Sequence, residues 1–120
     1  TDYAKQRKQF GRVIGQFQAI KHHLAEVAVA LEMARPLLHG AALAVRDGSP
    51  DAARDVSAAK VACGDAAYRA ARVGLQVHGA IGYTQEHDLS LWLTKVRALV
   101  TAWGTPAVHR RRVTESLVMR

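Results

Sequence analysis

From Phe17 to Val45, apolar side chains recur in alternating steps of three and four: Phe17, Ile20, Leu24, Val27, Leu31, Ala34, Leu38, Ala41 and Val45. An α-helix brings positions at that spacing onto one face, whereas a half-buried strand needs strict alternation. A stripe of that length commits the chain to a long helix and to further elements that cover it. Asp47-Gly48 ends the helix, since glycine tolerates the left-handed backbone just beyond a helix. Pro36 lies inside it and removes one backbone donor, which predicts a kink.

A second start signal follows at once. Ser49 is suited to capping, Pro50 to the first helical position, and Asp51 adds negative charge at the helix N-terminus. Val56, Ala59, Cys63, Ala66, Ala70, Val73 and Val77 repeat the three-four spacing, so the two helices form an antiparallel hairpin whose alanines let the axes approach closely. Gly79, Gly82 and Tyr83-Thr84 mark a loop. Asp88 is expected to cap a third helix that buries Leu89, Trp92, Leu93, Val96, Leu99 and Val100. Gly104 stops it, and Thr105-Pro106 opens a short fourth helix with Val108, Val113 and Leu117. No segment reads as a convincing strand and no repeat is present. The fold class is all-α, one antiparallel helical bundle over residues 1–120. Tyr3 to Lys8 reads as the end of a helix that begins before Thr1, so most of the bundle's first helix is expected to be absent and the chain to be a fragment that compensates by self-association.

The net charge of +7 gathers at the two ends, in Lys5 to Lys8 and Arg110 to Arg112. Such a surface attracts anions in general, but aromatics are not interleaved with the basic clusters and no nucleic-acid recognition motif is present. Charges interrupt every candidate for the ~20 apolar residues that cross a bilayer, so no membrane partner and a cytoplasmic location are expected. Cys63 is the single cysteine, in an alanine-rich helix where a structural thiol is expected. His22 and His23 are adjacent and point to different helix faces, and no metal motif is found. His78 is expected to pack the loop or to bond near a ligand. His109, beside Arg110 to Arg112, is expected on a solvated cationic face, with phosphate contact as the alternative.

The informative constellation is Arg7-Lys8-Gln9-Phe10-Gly11 followed by Ile14 and Gln18. A guanidinium at a helix-to-loop junction suits a pyrophosphate, although a solvated basic helix end has the same spacing. The whole string Tyr3 to Gln18 is similar to the R-x-x-F-G-x-x-I-x-x-x-Q signature of acyl-CoA dehydrogenases. The likeness continues through Leu24-Ala25-Glu26, Glu32-Met33-Ala34-Arg35, Ala58-Ala59-Lys60, Gln76-Val77-His78-Gly79-Ala80-Ile81-Gly82-Tyr83-Thr84 and Gly104-Thr105. It spans essentially the whole chain, in order.

The resemblance implies the C-terminal helical domain of a flavoenzyme whose FAD lies between domains and touches a neighbouring subunit. It implies removal of a Cα proton and a Cβ hydride from an acyl-CoA thioester, with electron-transferring flavoprotein reoxidising the flavin. Arg7, Gln9 and Phe10 match positions that approach FAD. Gln76, Val77 and Gly79 match the segment that receives the dinucleotide of the adjacent subunit, and Thr105 matches a hydroxyl near the flavin. Where the family often has two glycines this chain has Gly79-Ala80, which narrows backbone approach. Many members carry a glutamate base immediately before Gly-Thr; here that place holds Trp103, whose indole has no basic lone pair and cannot take a proton. No catalytic residue is assigned. The base is expected upstream of Thr1 or in a partner subunit, Glu86 being read as a loop or capping residue.

Three functions are therefore open: part of a flavin-dependent acyl-CoA dehydrogenase that contributes FAD contacts and an interface in a homo- or hetero-oligomer; a non-catalytic helical scaffold subunit of a heteromeric enzyme; and a basic nucleic-acid-binding module. The 120 residues alone are expected to be inactive.

Overall fold

The computed structural model describes residues 1–79 and 88–119. The expected loop residues Ala80, Gly82, Tyr83-Thr84 and Glu86 lie outside them. The chain opens with α1 (Asp2–Gln6), β1 (Lys8–Gln9) and β2 (Arg12–Val13), then a 3-10 turn at Ile14–Gln16. Helices α2 (Gln18–Arg46), α3 (Ala52–His78), α4 (Leu89–Thr101) and α5 (Pro106–Val118) follow.

The two long helices form the expected hairpin. Ala34 and Ala41 of α2, with Ala59 and Ala66 of α3, are buried between them. α2 passes through Pro36 without ending, the ring having removed the N–H that would donate to the Glu32 carbonyl. The start of α3 differs from expectation. Ser49 Oγ accepts the Asp51 N–H at 3.2 Å within the connecting turn, so Asp51 becomes the N-cap and Pro50 precedes the helix. Thr105 caps α5 as expected, its side chain accepting the Val108 N–H.

Two further expectations need correction. A two-residue antiparallel ribbon pairs Lys8 with Val13 and Gln9 with Arg12, a strand pair too short to leave a period in the sequence. α4 buries less than its apolar content suggests: Leu89, Leu93, Val96 and Val100 are half-buried, while Trp92 is 66% exposed and Leu99 40%. These half-buried residues face α3, where Val100 and Leu89 approach Gly64 and Gly74.

α2 also differs from the expectation that charges interrupt every candidate span. By length and composition it is apolar enough to cross a bilayer, an 18-residue window reaching mean hydropathy 1.3. Its apolar residues run all round it: Val29, Met33 and Leu37 lie off the stripe that faces α3 and are exposed. A helix apolar on all sides belongs in a core with neighbours on all sides, and here α3 supplies one. The radius of gyration, 17.6 Å, accordingly exceeds the roughly 14 Å of a closed domain of this length.

The N-terminal segment is tied to the far end of α3. Ala4 and Ile14 are buried with Val73 and Val77, flanked by Tyr3, Phe17, Ile20, Leu24 and Val27. Gly15 makes this possible, since a Cβ there would stand 2.9 Å from the Ala4 carbonyl oxygen.

Candidate functional site

Three features set the geometry of the N-terminal segment. α1 ends at Arg7, whose N–H donates to the Tyr3 carbonyl at 2.8 Å while its own carbonyl accepts from Ile14 at 2.8 Å. Between these bonds the ribbon turns at Phe10 and Gly11, with φ of 52° and 78°. Positive φ at both central residues is the two-residue hairpin turn that matches strand twist, and it places a bulky aromatic where glycine or asparagine is preferred. The tip is latched to the start of α2: Phe10 meets the Phe17 ring edge-on at 6.2 Å, and the Arg12 guanidinium lies 4.1 Å over the same ring. Phe10 nonetheless remains 90% exposed, a prong held in place by its own turn.

Burying Ala4 and Ile14 against Val73 and Val77 brings this hairpin to the C-terminal end of α3. A depression of 180 Å³ forms there, with Tyr3, Arg7, Gln9 and Ile14 on one wall and Gln76, Val77, His78 and Gly79 on the other. Two sequence segments that the family resemblance treats separately thus line one depression. Val77 is itself a core residue at 8% exposure, so its side chain supports the floor. His78 packs rather than projects: its Nδ1–H donates to the Gly74 carbonyl at 2.8 Å, and its ring stacks on Tyr3 at 4.3 Å. Tyr3 and Ile14 were not expected as wall residues; their sequence signal is their place in the string from Tyr3 to Gln18, where Ile14 is the isoleucine of the signature.

The electrostatics of the depression depend on one residue. The C-terminal end of a helix carries about half a negative charge, which opposes an anion. The Gly79 N–H is already committed to the Leu75 carbonyl, so it does not offset that charge. Arg7 supplies a full, permanent positive charge, while Gln9 and Gln76 supply amide donors and acceptors. Among the described residues, no carboxylate lines the depression. Such a set suits an anion that also needs directional hydrogen bonds.

Thr105 and Trp103 lie elsewhere. α5 packs on the first half of α3 through His109 with Ser57 and Arg110 with Asp65. From Ser57 to Gln76 the helix rises about 28 Å, so Thr105 belongs to a second region at the other end of the domain. Its hydroxyl is engaged as the α5 cap, and its place at a helix N-terminus still favours an anion. Trp103 is 85% exposed with φ of 59°, and Lys60 Nζ lies 6.0 Å from its ring centroid. Lys60 also donates to the Leu99 carbonyl in the last turn of α4.

His109 overturns its expectation. It is 5% exposed, not solvated, and sits between Ser57 Oγ and the Trp103 carbonyl at 3.2 Å each. Three arginines follow it, yet His109 itself faces inward, and Arg112 one turn on reaches the same Ser57 hydroxyl. No side-chain polar atom among the described residues is buried without a partner.

Comparison with known proteins agrees with this geometry. The family described as acyl-CoA dehydrogenase, C-terminal domain, matches residues 1–118. The chain is 36% identical over 118 residues to a 3-sulfinopropanoyl-CoA desulfinase of Paraburkholderia xenovorans, covering 98% of this chain and 30% of that protein. Among solved structures it superposes on an FAD complex of PigA with a TM-score of 0.90 and 28% identity, covering 99% of this chain and 31% of that one. A chain of the ChsE4–ChsE5 complex from Mycobacterium tuberculosis superposes with a TM-score of 0.92 and 29% identity, over 99% of this chain and 32% of that one. The chain thus spans about a third of the length of the relatives it matches.

Proposed function

The chain belongs to the acyl-CoA dehydrogenase C-terminal domain family, and from that premise we propose that it is the part of a flavin-dependent acyl-CoA dehydrogenase that binds FAD phosphates and supplies an oligomer interface. The observation that carries the proposal is the convergence of Arg7, Gln9, Gln76 and Gly79 on one depression that no carboxylate among the described residues lines. A dinucleotide has what that depression lacks: negative charge to meet Arg7, and ester and ribose oxygens to meet the two amides. Phe10, presented at the rim by the hairpin, offers an apolar face to a ring system. FAD, when bound in the complete enzyme, supplies the hydride acceptor. This chain's residues hold the cofactor's diphosphate and shield it from water. Thr105, at the start of α5, faces the second cofactor region at the other end of the domain.

The exposed apolar flanks of α2 support the interface role. One groove runs along Val29, Met33 and Leu37 beside Ala62 and Ala66, another along Leu38 and Val45 beside Val56 and Cys63. Burying both requires the rest of the polypeptide and a neighbouring subunit. An acyl-CoA thioester is the proposed substrate, and electron-transferring flavoprotein the electron acceptor.

Trp103 favours a second reading, a scaffold subunit of a heteromeric enzyme in which a related chain supplies the base. An indole cannot accept the Cα proton. The two readings separate in one experiment. Acyl-CoA thioesters are added without oxygen to the complete polypeptide, purified alone, and the flavin absorbance is followed. Bleaching by the polypeptide alone supports the first reading. Bleaching only after a related subunit is added supports the second, and a flavin-free preparation that never takes up FAD removes both.

A further inference from the structure

The residue in the place of the family's usual base stands in an uncommon conformation. Trp103 has a φ of 59° and Gly104 a φ of 119°; a bulky residue enters the left-handed region only where its surroundings hold it there. Its indole is open to solvent, so side-chain packing does not hold it. The backbone contact is different. The Trp103 carbonyl can only accept, so the His109 Nε2 facing it at 3.2 Å bears the proton. With the proton on Nε2 alone, Nδ1 is the acceptor and the Ser57 hydroxyl, 3.2 Å away, is its donor. Ser57 Oγ in turn accepts from the Arg112 guanidinium at 3.3 Å. Ser57 is 0% exposed, so this relay is sheltered from competing water.

The ring is also wedged against the turn: a Cβ at Gly104 would lie 3.0 Å from His109 Nε2. With a φ of 119° and the imidazole this close, any residue but glycine is strained at this position.

We propose that His109 is a positioning residue, donating from Nε2, which with Ser57 and Arg112 behind it fixes the left-handed turn and thereby aims the Trp103 side chain outward. It touches no ligand and acts through the Trp103 carbonyl. That the indole then walls the acyl site rests on the proposed function; the positioning itself does not.

The test uses the complete polypeptide labelled with 5-fluorotryptophan, the Trp103 fluorine signal being assigned by its loss in Trp103→Phe. In His109→Ala the signal moves toward that of free 5-fluorotryptophan as the turn is released. In His109→Gln it returns to the native position, because the carboxamide can donate to the carbonyl and accept from Ser57 at once. An unmoved signal in folded His109→Ala, or a folded His109→Gln that behaves like alanine, overturns the proposal. Should His109→Ala not fold, the ring nitrogen shifts of the unaltered protein decide: Nε2–H supports the assignment and Nδ1–H refutes it. Flavin reduction by acyl-CoA is read in the same variants. A fall of about 10- to 100-fold in His109→Ala, restored in His109→Gln, supports the wall role. A moved fluorine signal with unchanged reduction leaves the positioning intact and removes the wall role alone.

Discussion

Replacing Phe10 with asparagine separates what the hairpin costs from what it does. In the left-handed region an ordinary side chain is disfavoured by about 1–2 kcal/mol, and asparagine tolerates it better. Asn-Gly is also the favoured pair for a turn with two positive φ values, and Gly11 already holds the second place with a φ of 78°. Against this relief stands the edge contact with Phe17, worth about 0.5–1.5 kcal/mol. Little burial is lost, because the ring is 90% exposed. The two effects nearly cancel, leaving a net change within about 1 kcal/mol, or roughly 4 °C or less in the thermal midpoint for a chain of this size. Flavin binding is predicted to respond quite differently. Truncating an aromatic anchor in a ligand contact costs about 2 kcal/mol, and about 1.4 kcal/mol is a tenfold change in the dissociation constant. Thermal unfolding of the flavin-free polypeptide and equilibrium titration with FAD measure the two quantities. An unchanged midpoint with FAD affinity weakened at least about tenfold is expected. A fall of well over 4 °C with unchanged affinity would show that Phe10 latches the hairpin and meets no ligand.

Two other substitutions probe different parts of the domain. Gly15→Ala places a Cβ 2.9 Å from the Ala4 carbonyl oxygen, a backbone atom that cannot swing aside; a loss of about 1–3 kcal/mol is expected in denaturant unfolding, with increased hydrogen exchange at Ile14. Trp103→Glu puts a carboxylate where the family usually carries one. If the turn held by His109 faces bound substrate, the rate of flavin reduction by acyl-CoA rises or the range of accepted acyl groups changes; if neither moves, Trp103 does not border the acyl site.

Much of the fold was legible because it is local. The three-four stripe of α2, the glycine after Asp47 and the Thr105-Pro106 start are read by single helices, and the structure has all three. Trp92 was misplaced because α4 is apolar over more than half its circumference, and which part is covered depends on where α3 stands. The hairpin at Lys8 to Val13 escaped notice because two-residue strands have no measurable period. The site itself was half legible. Arg7 and Gln76 were each identified by resemblance, but their meeting depends on Ala4 and Ile14 docking against Val73 and Val77, a contact with no local signature. His109 was hidden by its neighbours: three arginines follow it on a helix otherwise facing water, and its partner Ser57 is 52 residues away.

That meeting of the two segments is most directly tested by a double-mutant cycle on Arg7 and Gln76, with FAD dissociation from the complete polypeptide as the readout. Arg7→Ala leaves the negative end of α3 unopposed and should weaken FAD more than Gln76→Ala does. If both residues hold the same diphosphate, the double variant departs from additivity by at least about 0.5 kcal/mol. Additive losses would mean that the two segments serve separate sites, and no loss in either single variant would mean that the depression binds no flavin.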